Sequence, residues 1–172
     1  EVIAQHGGRP VLWKTGHALM KQKIRETDAI LGGEFSGHIF FSERWYGFDD
    51  GVYTAARLAE IMSADQVSLP ELLRDLPTGP NTAEILIPVR EDQKFDLIEK
   101  VIAQADFQDG KLTTIEGLRV DFAEGWGLVR ASNTAAALTA RFEADSDEML
   151  LDIQARFKST LLTADADLTI PF

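Results

Sequence analysis

The 172-residue sequence contains no cysteine. This absence excludes disulfide bonds and thiolate-bound metals, and nothing in the composition requires an oxidising compartment. No apolar run approaches the ~20 residues that a membrane-spanning helix needs, and the first residues carry no signal-peptide pattern. We therefore expect a cytoplasmic protein with no membrane partner.

Basic residues are also scarce, with 17 Lys and Arg against 28 Asp and Glu, for a formal net charge of -11. Nucleic-acid backbones are bound by basic surfaces, so this balance argues against a nucleic-acid partner. An anionic small molecule can still bind if the few basic residues converge on one pocket. The fractions of hydrophobic residues, 45%, and of charged residues, 26%, are those of an ordinary globular protein.

The stretch GEFSGH, residues 33–38, combines polar groups with an apolar run that follows it directly. In an extended backbone successive side chains alternate between faces, so we expect Glu34, Ser36 and His38 on one side and Phe35 packed on the other. A carboxylate, a hydroxyl and an imidazole together can bind hydroxyls and move a proton, which suggests a sugar or another polyol. On spacing alone, a solvated strand face explains the same pattern.

A second polar stretch lies between two expected strands near the end of the chain. It contains Arg130, Ser132, Asn133 and Thr134. A guanidinium offers a planar fork that matches two phosphate oxygens, and hydroxyl, amide and backbone N–H groups add further donors. The residues therefore predict a phosphate-binding loop, although Ser, Asn and Thr are equally common in simple hydrophilic turns.

Several stretches together resemble the α-D-phosphohexomutase superfamily, in particular its bacterial phosphomannomutase/phosphoglucomutase branch. The stretches that match the third domain of that family are WKTGH at 13–17, GEFSGHIFF at 33–41 and ERWYGFDDG at 43–51. The stretch GWGLVRASNT at 125–134 resembles the phosphate-binding loop of its fourth domain. The motifs occur in the family's order, and the resemblance extends along nearly the whole chain.

The resemblance and the residue patterns together predict an α/β partial domain followed by an α+β domain. The first, residues 1–66, is expected to consist of strand-loop-helix units on a mixed sheet and to carry the sugar-recognition loop. Proline and glycine then punctuate residues 67–82, which we interpret as a hinge or linker. Residues 83–172 are expected to adopt the TATA-binding-protein-like fold of the fourth domain. The chain opens without Met, and the resemblance implies that it is the C-terminal part of a longer protein, beginning inside the third domain.

The activity implied is the interconversion of hexose 1-phosphates and hexose 6-phosphates through a bisphosphate intermediate. In the family, a phosphoserine and a Mg²⁺ site lie in upstream domains, and glucose 1,6-bisphosphate is the activator. The ligands implied are glucose 1-phosphate, mannose 1-phosphate and their 6-phosphates, and the upstream domains are the implied protein partner. This chain would supply recognition, and alone it is expected to be inactive.

Four residues of the first domain acquire roles from the resemblance. Glu34 and Ser36 are expected to bind sugar hydroxyls, while His38, helped by His17, lies near the proton-transfer path. Residues 130–134 are expected to bind the phosphate that is not reacting. The family usually continues this loop with Thr-Pro, whereas two alanines follow Thr134 here, so we expect the loop to be more mobile.

Asp49 and Asp50 precede an expected helix, and either can cap it. A metal site at this pair is the alternative, but a hard cation needs several converging oxygens, so no metal ligand is expected in this chain. Two other functions stay open. One is a noncatalytic phosphosugar-binding module, and the other is a protein-interaction domain that uses the aromatic residues Trp45, Tyr46 and Phe48.

Overall fold

The computed structural model describes residues 2–172, which form two compact units. The N-terminal unit is Glu1–Pro77 and the C-terminal unit is Thr78–Phe172. The N-terminal unit consists, in order, of α1 (Val2–Gln5), α2 (His17–Thr27), β1 (Leu31–Gly33), β2 (Ile39–Phe41), α3 (Gly51–Asp65) and α4 (Leu69–Leu73). The α/β character expected of this part is confirmed.

The two strands of the N-terminal unit form an antiparallel hairpin in which Gly33 pairs with Ile39 and Gly32 with Phe40. Phe40 is fully buried, and Ile24 of α2 is buried as well. A side chain on Gly32 would collide with Ile24, because a Cβ built there would lie 2.8 Å from the Ile24 Cδ1. The glycine therefore lets α2 lie directly against the hairpin.

The apolar run at residues 11–13 is typical of a short strand, but a prediction of a strand there is wrong. These apolar residues are exposed and belong to no helix or strand. A strand needs a neighbour to receive its backbone hydrogen bonds. The two sheets found among residues 2–172 place no strand beside this segment.

The loop between β2 and α3 is held to that helix by charges and aromatic rings. Arg44 donates two hydrogen bonds of 2.9 Å to the Glu60 carboxylate, which holds the pKa of that carboxyl below its ordinary value. The Trp45 ring stacks on Tyr53 with 4.2 Å between centroids. Asp50 is the N-cap of α3, because its side chain accepts the Tyr53 N–H at 2.9 Å. The expected capping role is therefore filled by Asp50.

The C-terminal unit is a five-stranded antiparallel sheet with two helices, and its predicted α+β class is confirmed. The strand order is β3-β7-β6-β5-β4. Its elements are β3 (Ile85–Pro88), α5 (Lys94–Gln104), β4 (Lys111–Thr113), β5 (Leu118–Phe122), β6 (Gly125–Ala131), β7 (Ala137–Ala144) and α6 (Asp147–Ala164). Ser146 caps α6 by accepting the Met149 N–H at 3.2 Å.

The two faces of this sheet differ in character. Along β6, Gly127, Val129 and Ala131 are buried and alternate with less buried residues such as Arg130. The buried residues share one core with α5 and α6, where Phe157 and Val129 are fully inaccessible to solvent. Because side chains alternate along a strand, Arg130 lies on the face opposite the helices. Within residues 2–172, no helix is both long and apolar enough to cross a membrane.

Candidate functional site

Residues 34–38 form the turn of the β1-β2 hairpin, so the expectation of an extended strand there is wrong. The Glu34 N–H donates to the His38 carbonyl at 2.9 Å, and the Gly37 N–H donates to the Glu34 carbonyl at 3.0 Å. Gly37 has a φ of 88°, which a glycine adopts without steric cost. As a result Phe35 is 85% exposed and does not pack on an inner face.

The turn nevertheless brings together the three polar side chains that the sequence singled out. The Ser36 Oγ lies 2.7 Å from the His38 Nδ1, and the Glu34 Oε2 lies 3.2 Å from the same nitrogen. The Glu34 side chain is only 7% exposed, and its Oε1 accepts the Gly16 N–H at 2.6 Å. Glu34 thus connects the hairpin turn to the residue that immediately precedes α2.

His17 and Asp49 complete this group. His17 is the first residue of α2, and its ring centroid lies 4.7 Å from that of His38 in an edge-on arrangement. The Asp49 Oδ2 is 3.8 Å from the His17 Nε2 and 3.9 Å from the His38 Nε2. The His38 ring thus lies between the carboxylates of Glu34 and Asp49. His17 and His38 therefore lie side by side, and their expected part in proton transfer stays a prediction.

Asp49 is a site residue whose position the sequence did not reveal. Its Oδ1 accepts the Ile39 N–H at 3.1 Å, and its backbone forms an isolated bridge with Phe40. After the loop that contains Trp45, Tyr46 and Phe48, these contacts bring the chain back to the hairpin. No periodic pattern marks such a return, and the neighbouring Asp50 takes the capping role that the sequence assigned to either residue.

The predicted phosphate loop connects β6 and β7 in the C-terminal unit. Ser132 is buried, and its Oγ accepts the N–H groups of Thr134 at 3.3 Å and Ala135 at 3.1 Å. Its own N–H donates to the Ala137 carbonyl at 3.0 Å. Ser132 therefore shapes the loop from within, while Asn133 and Thr134 are exposed.

Arg130 is the last but one residue of β6 and lies opposite Thr139 of β7. Its guanidinium is half-buried and makes a long contact of 3.5 Å from Nη1 to the Ala131 carbonyl. A guanidinium carries five N–H donors, so this one contact leaves capacity for a doubly bonded anion.

Lys94, the first residue of α5, is a loop contact that the sequence reasoning missed. It is 3% exposed, and its Nζ donates to the Ala135 carbonyl at 3.2 Å and contacts the Glu91 Oε1 at 2.6 Å. The signal was present, because Lys94 occupies the same helical stripe as the buried Leu97, Ile98 and Val101. A lysine in an apolar stripe indicates a buried partner.

We expect the substitution Lys94→Met to loosen the phosphate loop while it preserves the aliphatic contacts of the side chain. Loss of the bond to the Ala135 carbonyl, worth about 1.5–3 kcal/mol for a charged donor, frees the loop to move. Backbone order parameters of residues 133–135 are expected to fall below those of β6. Lys100→Met, an exposed lysine on the same helix, serves as the control. Equal order parameters in both variants would contradict the assignment of Lys94 as the tether.

Two family models match the chain, and they divide it near the boundary between the two units. The model described as phosphoglucomutase/phosphomannomutase, alpha/beta/alpha domain III, matches residues 1–79. The model described as phosphoglucomutase/phosphomannomutase, C-terminal domain, matches residues 84–159.

Curated relatives and a solved structure give the same result. A phosphomannomutase/phosphoglucomutase of Pseudomonas aeruginosa is 52% identical over 171 residues, which are 99% of this chain and 37% of that protein. A phosphoglucomutase of Neisseria gonorrhoeae is 45% identical over 161 residues, which are 92% of this chain and 35% of that protein. A crystal structure of a phosphoglucomutase/phosphomannomutase family protein from Burkholderia thailandensis superposes with a TM-score of 0.89 at 46% identity. That superposition covers 99% of this chain and 36% of the other. The chain therefore spans little more than a third of the length of these proteins.

Proposed function

The chain belongs to the phosphoglucomutase/phosphomannomutase family, and we propose that it is the substrate-recognition part of a mutase that interconverts hexose 1-phosphates and hexose 6-phosphates. The donor set of the β6-β7 loop is the observation that carries this proposal. In the full reaction a phosphoserine donates its phosphoryl group to the sugar, and the resulting bisphosphate returns the other phosphoryl group. We assign the phosphoserine, the Mg²⁺ site and the response to glucose 1,6-bisphosphate to other parts of the same enzyme, which we place in the cytoplasm.

In our proposal the C-terminal unit binds the phosphate that is not reacting. Arg130 would contact two phosphate oxygens, and the exposed Asn133 and Thr134 would add an amide and a hydroxyl. The Ser132 hydroxyl already accepts two N–H groups, so its remaining role toward phosphate is to donate its proton. Lys94 donates to the Ala135 carbonyl within the loop while its charge is paired with Glu91, so its role in the proposal is to position the loop.

The N-terminal unit would bind the sugar through Glu34 and Ser36. The Glu34 carboxylate already contacts the Gly16 N–H and His38 in this structure. The sugar hydroxyls would therefore bind to the remaining lone pairs of Glu34 and to the exposed Ser36 hydroxyl. His38 and His17 would hold the proton that is exchanged with the reacting sugar hydroxyl. The two units would thus contribute separate parts of recognition, connected by the linker that we place at residues 67–82.

The experiment that tests this proposal is a titration of the isotopically labelled chain with glucose 1-phosphate, followed through backbone amide shifts. We expect Arg130→Ala to weaken binding about 10- to 100-fold, because it removes charge-assisted hydrogen bonds worth about 1.5–3 kcal/mol. Glucose serves as the phosphate-free ligand and inorganic phosphate as the sugar-free ligand. Arg74→Ala, at an exposed arginine of the N-terminal unit, is the matched control and is expected to bind as the unsubstituted chain does.

A second variant separates the two parts of the ligand. Glu34→Gln is expected to weaken binding of glucose 1-phosphate and to leave binding of inorganic phosphate unchanged. If Arg130→Ala and Glu34→Gln both bind glucose 1-phosphate as tightly as the unsubstituted chain, the proposed recognition role is wrong.

A further inference from the structure

Three groups that commonly bind metal ions lie together in the N-terminal unit. They are the imidazoles of His17 and His38 and the carboxylate of Asp49, which we call the His-His-Asp cluster. Each residue offers one ligand atom, and these atoms all lie within 4.8 Å of one another. The Asp49 Oδ2 is the shared neighbour, at 3.8 Å from one Nε2 and 3.9 Å from the other.

The surroundings of the cluster orient two of its members toward a common point. The Ile39 N–H holds the Asp49 Oδ1 at 3.1 Å, which leaves Oδ2 directed at the histidines. The Nδ1 of His38 faces the Ser36 Oγ at 2.7 Å and the Glu34 Oε2 at 3.2 Å, which leaves Nε2 as the nitrogen nearer Asp49. A metal-binding histidine typically engages a carboxylate through its other ring nitrogen in this way, which sets its tautomer and its orientation.

The third member is restrained by its position in the fold. His17 is the first residue of α2, and its ring packs edge-on against the buried Phe40 with 5.5 Å between centroids. Its side chain is still 48% exposed, so an ion can reach the cluster from solvent. The cluster therefore has an entry path and a supporting shell of contacts.

We propose that the His-His-Asp cluster binds a divalent ion of the zinc class. Imidazole nitrogen suits Zn²⁺, Ni²⁺ and Cu²⁺, whereas Mg²⁺ and Ca²⁺ require oxygen ligands. Tetrahedral zinc with bonds of ~2.0–2.1 Å places its ligand atoms ~3.3 Å apart. The Nε2-to-Oδ2 separations are 3.8 and 3.9 Å, and all three ligand atoms lie within 4.8 Å of one another, so side-chain rotations must shorten all three separations to reach this value. The exposed side of the cluster leaves a fourth position for water or another small ligand.

The bound ion would act as an inhibitor of the proposed mutase. Coordination occupies the nitrogen lone pairs that His17 and His38 need in order to accept a proton. This consequence rests on the proposed function, whereas binding of the ion depends only on the geometry of the cluster.

The test is a titration of the metal-free chain with Zn²⁺, measured by calorimetry and by the side-chain nitrogen resonances of histidine. We expect one ion per chain, with shifts at the Nε2 of His17 and His38. The chain contains only one other histidine, His6, which is exposed and provides the matched control. His17→Gln is expected to lower the affinity at least about tenfold, because loss of even a supporting residue costs 10- to 100-fold. His6→Gln is expected to bind like the unsubstituted chain.

Asp49→Asn provides an independent variant, because the amide oxygen can still accept the Ile39 N–H while the negative charge is lost. We expect it to weaken zinc binding without a change in the far-ultraviolet circular dichroism spectrum. If Asp49→Asn disturbs the fold, the His17→Gln variant still tests the site, because His17 is exposed. Zinc binding of equal strength in His17→Gln and the unsubstituted chain would overturn the proposal, as would several equivalent weak sites on the carboxylates. Neither result would affect the phosphosugar titration, so the two proposals fail separately.

Discussion

We expect the substitution Phe157→Ala to lower the free energy of unfolding of the C-terminal unit by about 3–5 kcal/mol, the range for a buried phenylalanine. Phe157 lies on α6 and is fully buried. Its ring lies 5.1 Å from that of Phe107 and 5.4 Å from that of Phe142, between centroids. Its removal therefore leaves a cavity and breaks two aromatic contacts.

The sheet beneath this ring is shaped to accept it. A Cβ built at Gly127 of β6 would lie 2.4 Å from the Phe157 Cε2, so only glycine lets the ring approach the strand this closely. The measurement is a urea titration followed through the amide signals of β6 and β7, which report the C-terminal unit alone. Phe95→Ala is the matched control, because Phe95 is 56% exposed on α5, and we expect it to cost less than about 1 kcal/mol. Equal costs for the two variants would contradict the assigned core.

The second large effect is expected at Gly117, in the turn between β4 and β5. Its φ is 94°, and a Cβ built there would lie 2.3 Å from the Val129 carbonyl oxygen and 2.7 Å from the Arg130 Cα. An alanine in the left-handed region costs about 1–2 kcal/mol, and overpacking costs about 1–3 kcal/mol more. We therefore expect Gly117→Ala to destabilise the C-terminal unit by about 2–5 kcal/mol.

The same substitution also tests the phosphate loop. The atoms that an added methyl group would strike are the Val129 carbonyl oxygen and the Arg130 Cα and Cβ, which are fixed by the backbone of β6 and cannot move aside as the end of a flexible side chain would. The strand must shift at Arg130, so we expect weaker binding of glucose 1-phosphate by the folded fraction. Gly7→Ala isolates the conformational cost, because Gly7 has a φ of 78° and open space around it. If Gly117→Ala lowers the free energy of unfolding of the C-terminal unit by no more than Gly7→Ala lowers that of the N-terminal unit, the close contact at Gly117 is unimportant.

Local patterns predicted the C-terminal unit more closely than the hairpin of the N-terminal unit. The sequence indicates α6 clearly, because its apolar residues follow a helical period that no competing pattern disturbs. At 33–38 the alternation of polar and apolar residues is equally typical of a strand and of a tight turn with glycine. The pairing of Gly33 with Ile39 decides between them, since it leaves only five residues to reverse the chain.

The residues of the candidate site also differ in how far the sequence could predict them. Glu34, Ser36 and His38 could be predicted as a group because they are neighbours in the chain and their side-chain chemistry is complementary. Lys94 and Asp49 could not be assigned to their contacts in this way. Lys94 meets a carbonyl 41 residues away, and Asp49 meets an N–H ten residues away across the aromatic loop. Such contacts depend on where the chain returns, which side-chain periodicity does not encode.

The sequence by itself determined the α+β class of the C-terminal unit and the two stretches that carry the candidate ligands, because these follow from short-range periodicity and side-chain chemistry. Only the tertiary structure decided that Lys94 donates to the Ala135 carbonyl in the β6-β7 loop and that Asp49 joins two histidines in one cluster. Strand pairing and helix packing bring distant segments within hydrogen-bonding distance, and a buried charge is stable only where that packing supplies its partner.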